Sequence, residues 1–252
     1  MKTENKPVNI ALDIETTGLD PLSSELVSWV CGEFSMIQSR TRDERFVLNS
    51  LNEALEMYNK NLTTIVTYNG GTFFSYGFDF VYLRTKYMKH GMRYLLHGFN
   101  HVDLYPIIKK MFNLNFDVTG TLDDLKSDDL KKMAIHFGLK AETTMKYNIA
   151  SINEMVDQDQ IKEYLQEKGF MKNKSHNGLK DACFHLLDIE DFGVDGKKVP
   201  GMFDKWKETG DDSIINNILE YNKDDCVKTM ALFEAIKSED YVSNRVMSGE
   251  IL

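Results

Sequence analysis

Cysteine and proline are scarce in this sequence: its 252 residues include three cysteines and four prolines. Cys31, Cys183 and Cys226 stand far apart and form no CxxC pair, which argues against a disulfide framework and a zinc knuckle. No apolar run approaches the roughly 20 residues that a bilayer-spanning helix needs. The 42% of hydrophobic residues is typical of a folded protein. We therefore expect a folded cytoplasmic protein with reduced cysteines and no membrane partner.

Basic residues are outnumbered by acidic ones, 30 against 39, which leaves a net charge of −9. This balance argues against a broad cationic surface that coats nucleic acid, and leaves room for a localised basic groove. The sequence also lacks a GxxxxGK[ST] phosphate loop, a GxGxxG turn after a strand, a GxSxG nucleophile elbow and HExxH spacing. The enzyme classes that depend on these motifs are therefore poorly supported.

The hydrophobic pattern predicts an α/β fold in which an antiparallel hairpin leads into a parallel βαβ unit. An apolar strand at 8–14 comes first, and a long final helix begins near Asp211 or Asp212, which are good N-caps. Between about 113 and 177 the pattern changes to polar helical segments, including 128–137 and 157–169, which we interpret as an insertion. The other predicted strands are 26–37, 45–48, 63–67 and 101–105, and the other predicted helices are 51–61 and 79–89.

Two carboxylates close the first strand, in the motif Asp13-Ile14-Glu15. Alternate residues of a strand point to one face, so these acids can share a cation, and hard oxygen ligands favour Mg²⁺ or Mn²⁺. Taken alone, a DxE motif is more often a pair of solvent-facing acids on an edge strand. The apolar residues before Asp13 instead indicate a buried strand, and strand ends in α/β sheets are where sites are built.

Two further motifs carry candidate site residues. Asn69-Gly70-Gly71 follows a predicted strand, and Phe78-Asp79 then opens a helix, where an ordinary N-cap is an equally good explanation of the acid alone. In the last helix, Tyr221 and Asp225 are four residues apart and share one face. Asp224 is rotated about 100° away and is better explained as a solvated acid.

The chain resembles the DEDD superfamily of 3′–5′ exonucleases in three motifs, taken in order: Asp13-Ile14-Glu15-Thr16-Thr17-Gly18, Asn69 with Phe78-Asp79, and Tyr221-x-x-x-Asp225. The tyrosine is that of the DEDDy branch, since the DEDDh branch has a histidine where this chain has Glu220. Within that branch the chain resembles the exonuclease domain of family B DNA polymerases and its stand-alone relatives, over roughly residues 8–110 and 178–236. The interval before Asp79 is longer than in the family's usual Asn-Gly-x-x-Phe-Asp, and 113–177 has no recognised counterpart.

This resemblance implies one exonuclease domain over 1–252, with a ribonuclease-H-like mixed five-stranded sheet flanked by helices and a largely helical insertion at about 113–177. It also implies two divalent cations, Mg²⁺ or Mn²⁺, as cofactors. Asp13, Glu15 and Asp225 would bind one ion, while Asp13 also touches a second ion whose water shell Asp79 orders. Tyr221 would orient the attacking water, because a phenol with an unperturbed pKa of about 10 is mostly protonated at neutral pH.

Contacts with the rest of the substrate must come from outside the acidic cluster. Cations and aromatic residues alternate between 82 and 94, a mixture that could contact phosphates and stack unpaired bases, although a solvated helix face explains it equally well. The candidates there are Arg84, Lys86 and Arg93. A weaker group of cations around Phe170 comprises Lys168, Lys172, Lys174 and Lys180.

We therefore expect a metal-dependent 3′–5′ exonuclease that acts on single-stranded DNA. The resemblance suggests that Thr16, Asn69 and Phe73 or Phe74 line the 3′-terminal nucleotide, with core packing as the other role open to either phenylalanine. A 3′–5′ exoribonuclease with the same site is a close alternative, since a 2′-hydroxyl contact leaves no trace in the sequence. A non-catalytic nucleic-acid-binding module is the alternative from a different class. Any polymerase-like role in replication or repair would belong to a partner.

Overall fold

The computed structural model of the chain describes residues 6–71, 77–112, 114–175, 177–190 and 195–238. Contacts between residues divide the chain into two compact units. The first consists of Met1–Asn113 and Asn177–Leu252, and the second of Leu114–His176. No helix within the described stretches is both long enough and apolar enough to cross a lipid bilayer.

The first unit is built on a five-stranded sheet. Strands β1 (Val8–Thr16), β2 (Leu26–Cys31) and β3 (Phe34–Ile37) pair antiparallel, whereas β4 (Thr63–Thr67) pairs parallel to β1, and β5 (Asn100–Asp103) pairs parallel to β4. The order across the sheet is β3-β2-β1-β4-β5, so β1 lies at its centre. This topology confirms the predicted mixed five-stranded sheet, with an antiparallel hairpin that leads into a parallel βαβ unit.

Helices flank this sheet and also form much of the second unit. In chain order they are α1 (Glu44–Glu56), α2 (Asp79–Lys89), α3 (Leu104–Met111), α4 (Ser127–His136), α5 (Met145–Met155), α6 (Gln158–Glu167), α7 (Leu179–Leu187), α8 (Val199–Thr209) and α9 (Asp212–Ser238). Short 3-10 turns occupy Leu96–Gly98, Leu122–Asp124 and Gly196–Lys198. The predicted strand 63–67 and helix 79–89 match β4 and α2 residue for residue, and α9 begins at Asp212 as predicted.

The alternation along β1 decides what each face of the sheet contacts. Three alternate residues are buried in one cluster with residues of α1 and α2: Ile10, Leu12 and Ile14. Ala11 points to the other face, where it is buried with Cys226 of α9. Because every second residue of a strand shares a face, Asp13 and Glu15 lie on the side of α9. The three cysteines are free and buried, as predicted.

Three strand predictions differ from the structure. Residues 45–48 belong to α1, whose N-cap Asp43 accepts a hydrogen bond from the amide of Phe46 and whose apolar residues recur with a helical period. The segment 26–37 is the hairpin of β2 and β3, which turns at Gly32 with a φ of 61°. The strand predicted at 101–105 ends at Asp103, and Pro106 lies in the first turn of α3, where its missing N–H is not needed.

The second unit combines helices with an antiparallel ribbon of β6 (Asn115–Thr119) and β7 (Met171–Ser175). Its own buried cluster includes Leu130, Met133, Ile152 and Leu165. The predicted helices 128–137 and 157–169 correspond to α4 and α6, so the segment is largely helical as expected. The sequence pattern does not predict the ribbon, because its strands contain Asp, Asn and Lys, which strands disfavour. That this unit is an insertion into one exonuclease domain stays a prediction.

Candidate active site

Carboxylates from the central strand and the last helix meet on one face of the sheet. Asp13 and Glu15 lie towards the C-terminal end of β1, and Asp225 lies in the middle of α9. One ligand atom from each of the three residues lies within 4.8 Å of the others. Glu15 and Asp225 are 8% and 7% exposed, and Asp13 is partly buried. The alternation of β1 and the packing of α9 on that face therefore bring Asp225 together with two acids that stand about 210 positions earlier in the sequence.

Asp79 adds a fourth carboxylate to the electrostatic environment of this cluster. It is the first residue of α2 and is only 4% exposed. Its negative charge raises the pKa of both Asp13 and Glu15, which places it close to them. Its Oδ2 has no hydrogen-bond partner among the described residues. The structure thus brings Asp79 near the acidic cluster, while the tight group of ligand atoms is formed by the other three acids.

The loop between β4 and α2 positions Asp79. Asn69 has a φ of 65° and Gly71 a φ of 75°, so the chain reverses sharply after β4. The amide of Phe78 donates to Asn69 O at 2.7 Å, and the amide of Phe80 donates to Gly70 O at 3.0 Å. These two bonds fasten the start of α2 to the end of β4. Asp79 is thereby held beside the C-terminal end of β4, the strand that pairs with β1.

Asp103, at the end of β5, fixes that loop with both of its carboxylate oxygens. Its Oδ1 accepts from the amide of Asn69 at 2.8 Å and from that of Tyr105 at 3.1 Å, and its Oδ2 accepts from the amide of Gly71 at 2.8 Å. The charge of Asp103 also raises the pKa of Asp79, after the larger effect of burial. No role for Asp103 is predicted from the sequence, although its position at a strand end is a usable signal.

The acids of the cluster are destabilised in their charged forms. Burial is the largest cause and neighbouring carboxylates add to it, so the pKa values of Asp13 and Glu15 lie well above their usual range. Burial raises the pKa of Asp225 to about 6, although a hydrogen bond from Tyr221 and the charge of Lys180 act in the opposite direction. A bound cation would offset this repulsion, and hard oxygen ligands suit Mg²⁺ or Mn²⁺. The donor set therefore fits a divalent metal site.

Tyr221 borders the cluster one helical turn before Asp225. It is 6% exposed and donates a hydrogen bond to Asp225. Burial, followed by the charges of Asp225 and Glu15, raises the pKa of its phenol far above the usual range. Lys180 Nζ lies 4.9 Å from the centre of the Tyr221 ring, and its charge lowers the pKa values of Glu15 and Asp225. Lys180, a member of the weaker group of cations around Phe170, is thus a neighbour of the acids.

Asn222 is a neighbour of the cluster that sequence reasoning misses. It is fully buried in α9, and its Nδ2 donates to Asp13 Oδ2 at 2.9 Å. Its Oδ1 has no hydrogen-bond partner among the described residues. An amide that donates to a carboxylate restricts the orientation of that carboxylate. The available signal is the position of Asn222 three residues before Asp225, which places both on neighbouring parts of one helix face.

Comparison with known families agrees with this architecture. The sequence matches the family model of the RNase_H superfamily over residues 10–150 and 140–237, which is most of the chain. The chain belongs to the RNase_H superfamily. The ribonuclease-H-like fold expected from the sequence is therefore confirmed. No curated protein sequence matches the chain.

Several solved structures of exonuclease I resemble this RNase_H superfamily chain. A complex of SSB and exonuclease I with an inhibitor has 14% identity and a TM-score of 0.32, and the match covers 64% of this chain and 44% of that chain. A zinc-bound complex of the E. coli enzyme with ssDNA has 13% identity and a TM-score of 0.30, with 64% and 43% covered. A product-bound exonuclease I has 13% identity and a TM-score of 0.31, with 64% and 46% covered. The chain thus spans less than half the length of these structures.

The residues predicted to line the 3′-terminal nucleotide have different environments. Thr16 follows Glu15 in β1 and is nearly buried, and its hydroxyl donates to Gly18 O at 2.9 Å. Asn69 is exposed at the turn beside the acidic cluster. Phe73 and Phe74 lie outside the described residues. Thr16 therefore belongs to the strand that carries Glu15, and Asn69 belongs to the loop that leads to Asp79.

The cations predicted to contact phosphates do not form one group. Arg84 is half-buried and lines a cavity beside α2. Lys86 is fully buried, where its Nζ pairs with Glu44 Oε1 at 2.8 Å and donates to Ser24 O, so its ammonium does not face a substrate. Arg93 is exposed beyond the C-terminal end of α2, and the helix itself spans about 15 Å from Asp79 onward. Arg84 follows Asp79 by five residues, so its side chain projects about 140° around α2 from that of Asp79.

The weaker basic group is also divided. Lys168 and Lys172 belong to the second unit, where Lys168 Nζ lies 5.7 Å from the centre of the Tyr164 ring and Lys172 pairs with Asp124. The side chain of Lys174 lies outside the described part of the chain. Lys180 belongs to the first unit, where it contacts Tyr221.

Proposed function

We propose that this chain is a divalent-metal-dependent 3′–5′ exonuclease of the DEDDy type that acts on single-stranded DNA. The observation that carries the proposal is the meeting of Asp13, Glu15 and Asp225, with ligand atoms within 4.8 Å of one another. Tyr221, hydrogen-bonded to Asp225, supplies the further group that the DEDDy motif requires. Membership in the RNase_H superfamily supports a nuclease built on this face of the sheet.

The acidic cluster suits a pair of Mg²⁺ or Mn²⁺ ions. Asp13, Glu15 and Asp225 would hold one ion, and Asp13 would also contact a second ion whose water shell Asp79 would order. Asp225 Oδ1 and Asp79 Oδ2 are buried without a hydrogen-bond partner among the described residues, so both oxygens can serve this purpose. When bound, two divalent ions balance the charge of the four carboxylates and stabilise the attacking and leaving oxygens of an in-line displacement.

Tyr221 keeps its proton at neutral pH, since burial and nearby carboxylates raise the pKa of its phenol. Its hydroxyl donates to Asp225, and its oxygen can accept a hydrogen bond from the water that attacks the terminal phosphorus. The new P–O bond forms to this water, the bond to the 3′ oxygen of the preceding nucleotide breaks, and a 5′-mononucleotide leaves. The attacking water releases one proton to solvent, and the departing 3′ oxygen takes one from solvent.

Two neighbouring side chains support this arrangement without touching the reacting atoms. Asn222 holds one oxygen of Asp13 through a bond of 2.9 Å, which limits rotation of that carboxylate. Lys180 lowers the pKa values of Glu15 and Asp225 and so favours their charged forms. Both residues act by positioning or charging the carboxylates that would bind the metal ions.

The terminal nucleotide would be bound between β1 and the loop before α2. We retain Thr16, Asn69, Phe73 and Phe74 as its proposed contacts. The three cations are left out: Arg84 projects about 140° around α2 from Asp79, Lys86 is paired in the core, and Arg93 lies beyond the far end of α2. Unpaired bases can stack on phenylalanine rings irrespective of sequence, which suits a single strand.

Digestion of end-labelled single strands in Mn²⁺ tests this function. We expect stepwise release of labelled mononucleotide from 3′-labelled DNA, delayed release from 5′-labelled DNA, and no release in EDTA. Asp13→Asn should abolish cleavage with an unchanged circular dichroism spectrum, whereas Glu234→Gln, which removes the same charge from an exposed position on α9, should cleave normally. Full activity of Asp13→Asn would remove the mechanism.

The same assay separates the alternatives. Matched RNA strands, run in parallel, show whether a 2′-hydroxyl is accepted, and faster cleavage of RNA would make the chain an exoribonuclease with the same chemistry. Binding of single strands in Mg²⁺ without release of any nucleotide over hours would replace the enzyme with a binding module.

A further inference from the structure

The cavity beside α2 that Arg84 lines has a volume of about 380 Å³ and lies in the first unit. Its lining consists mainly of rings and cationic or imidazole groups: Phe80, Arg84, Tyr94, His97, Phe99 and His101. Phe80 and Arg84 follow Asp79 by one and five residues, so their side chains project about 100° and 140° around the helix from it. The cavity is therefore separate from the acidic cluster, although both adjoin the same helix.

Two pairs of rings form walls of this cavity. The Phe80 and His101 rings have centroids 4.1 Å apart and planes inclined by 34°. The Tyr94 and His97 rings have centroids 6.1 Å apart and planes inclined by only 18°. Phe80 and Tyr94 are both half-buried, so each ring leaves part of its surface open. Ring faces of this kind can stack on a flat aromatic group.

His101 contributes a neutral ring to these walls. Its Nε2 is hydrogen-bonded to Thr67 Oγ1 at 2.9 Å. Burial lowers the pKa of His101 to about 4, although the nearby charge of Asp103 acts in the opposite direction. At neutral pH the imidazole is therefore uncharged and stacks as an aromatic ring. Both carboxylate oxygens of Asp103 accept hydrogen bonds from backbone amides, so neither is directed at a ligand in the cavity.

The charge of the cavity differs from that of the chain as a whole. The chain has a net charge of −9, yet none of the described residues that line the cavity is acidic. Arg84 supplies a cation from α2. Lys60 supplies another beside the lining, with its Nζ 5.7 Å from the centre of the Phe99 ring. Such a local excess of positive charge next to ring faces complements a flat aromatic group that carries an anion.

We propose that this cavity binds a nucleotide, with its base against the Phe80 and Tyr94 rings and its phosphate near Arg84 and Lys60. The binding needs no divalent ion, because it depends on ring faces and on the protein's own cations. A free mononucleotide and a nucleotide within a single strand share this chemistry. The site thus goes beyond the proposed hydrolysis and lies outside the acidic cluster.

Calorimetric titration of the protein in EDTA tests this proposal with two probes, dAMP and a single-stranded oligodeoxyadenylate. EDTA prevents hydrolysis and leaves the carboxylates of the acidic cluster without a cation, so they repel phosphate. We expect Arg84→Gln to weaken binding by about tenfold, equivalent to 1.4 kcal/mol. Phe80→Leu, which keeps an apolar side chain and removes the ring, should have a similar effect. Arg45→Gln removes the same charge from an exposed position on α1 and should change affinity by less than about twofold.

The probes also identify the source of the nucleotide. If Arg84→Gln weakens the binding of dAMP, the natural ligand is a free mononucleotide. If Arg84→Gln weakens the binding of the oligonucleotide alone, the ligand is a nucleotide within a strand. The proposal is overturned if neither probe shows a loss with Arg84→Gln, or if Arg45→Gln weakens binding as much. Circular dichroism spectra confirm that each variant is folded. Because no cleavage is measured, a negative result leaves the proposed exonuclease unaffected, and an inactive enzyme can still show this binding.

Discussion

Replacement of Asp225 by asparagine should stabilise the metal-free protein at neutral pH. The pKa of Asp225 is about 6 in the folded chain against an ordinary value of 3.8, chiefly because of burial. This difference corresponds to about 3 kcal/mol of destabilisation once the carboxyl is ionised in both states. The side-chain amide that replaces the carboxylate keeps an oxygen that can accept from Tyr221 and carries no charge. The variant should therefore gain up to about 3 kcal/mol at pH 7.5 in EDTA.

The sign of the pH dependence follows from the raised pKa. Between pH 3.8 and about 6 the folded protein binds this proton more tightly than the unfolded chain, so wild-type stability falls as the pH rises through that window. Below pH 3.8 the carboxyl is protonated in both states and Asp225→Asn should differ little from wild type. Urea unfolding at several pH values in EDTA measures the difference.

A matched variant and a metal titration complete this experiment. Glu234→Gln, which removes one exposed acid from the same helix, should change stability by less than about 0.5 kcal/mol at every pH. Adding Mn²⁺ should stabilise wild type and have a much smaller effect on Asp225→Asn. A loss of stability in Asp225→Asn at pH 7.5 in EDTA, or an unchanged pH dependence, would contradict a raised pKa of Asp225.

Three further predictions address other parts of the first unit. Tyr221→Phe should lower the cleavage rate by about a hundredfold with an unchanged melting temperature, and equal rates would contradict a role in orienting water. Lys86→Met removes the ammonium that pairs with Glu44, which keeps His90 and the Leu26 amide as partners, and should cost about 1–3 kcal/mol in urea unfolding. Lys86→Met/Glu44→Gln should recover a part of this loss, and no loss in the single variant would contradict the buried pair. Asp103→Asn keeps one acceptor oxygen and leaves an amide of the β4–α2 loop unpaired. This change should reduce the free energy of unfolding by about 1–3 kcal/mol and slow cleavage. A variant as stable and as active as wild type would show that Asp103 does not fix the loop.

Local periodicity in the sequence accounts for much of the geometry of the acidic cluster. Asp13 and Glu15 share a face because a strand has a period of two residues, and Tyr221 lies beside Asp225 because a helix repeats at about four. The helix that starts at Asp79 is predicted with both of its ends. These features depend only on near neighbours in the chain, so a sequence pattern can express them.

Features that depend on distant partners are not predicted. Lys86 stands in a run of cations and aromatics that is typical of an exposed helix, but Glu44 comes 42 positions earlier and draws its ammonium into the core. Likewise, the contact of Asn222 with Asp13 joins residues 209 positions apart. The strand predicted at 45–48 fails for a related reason, because a short apolar run fits a strand or a helix and the cap at Asp43 decides between them.

We propose that Asp13, Glu15, Asp79 and Asp225 together bind divalent ions. Crystals soaked in Mn²⁺ test it most directly, by anomalous diffraction. We expect a peak in contact with the carboxylates of Asp13, Glu15 and Asp225, and a second between Asp13 and Asp79 when a nucleotide is present. Crystals that diffract well, take up Mn²⁺ elsewhere and show no peak at these carboxylates would contradict it.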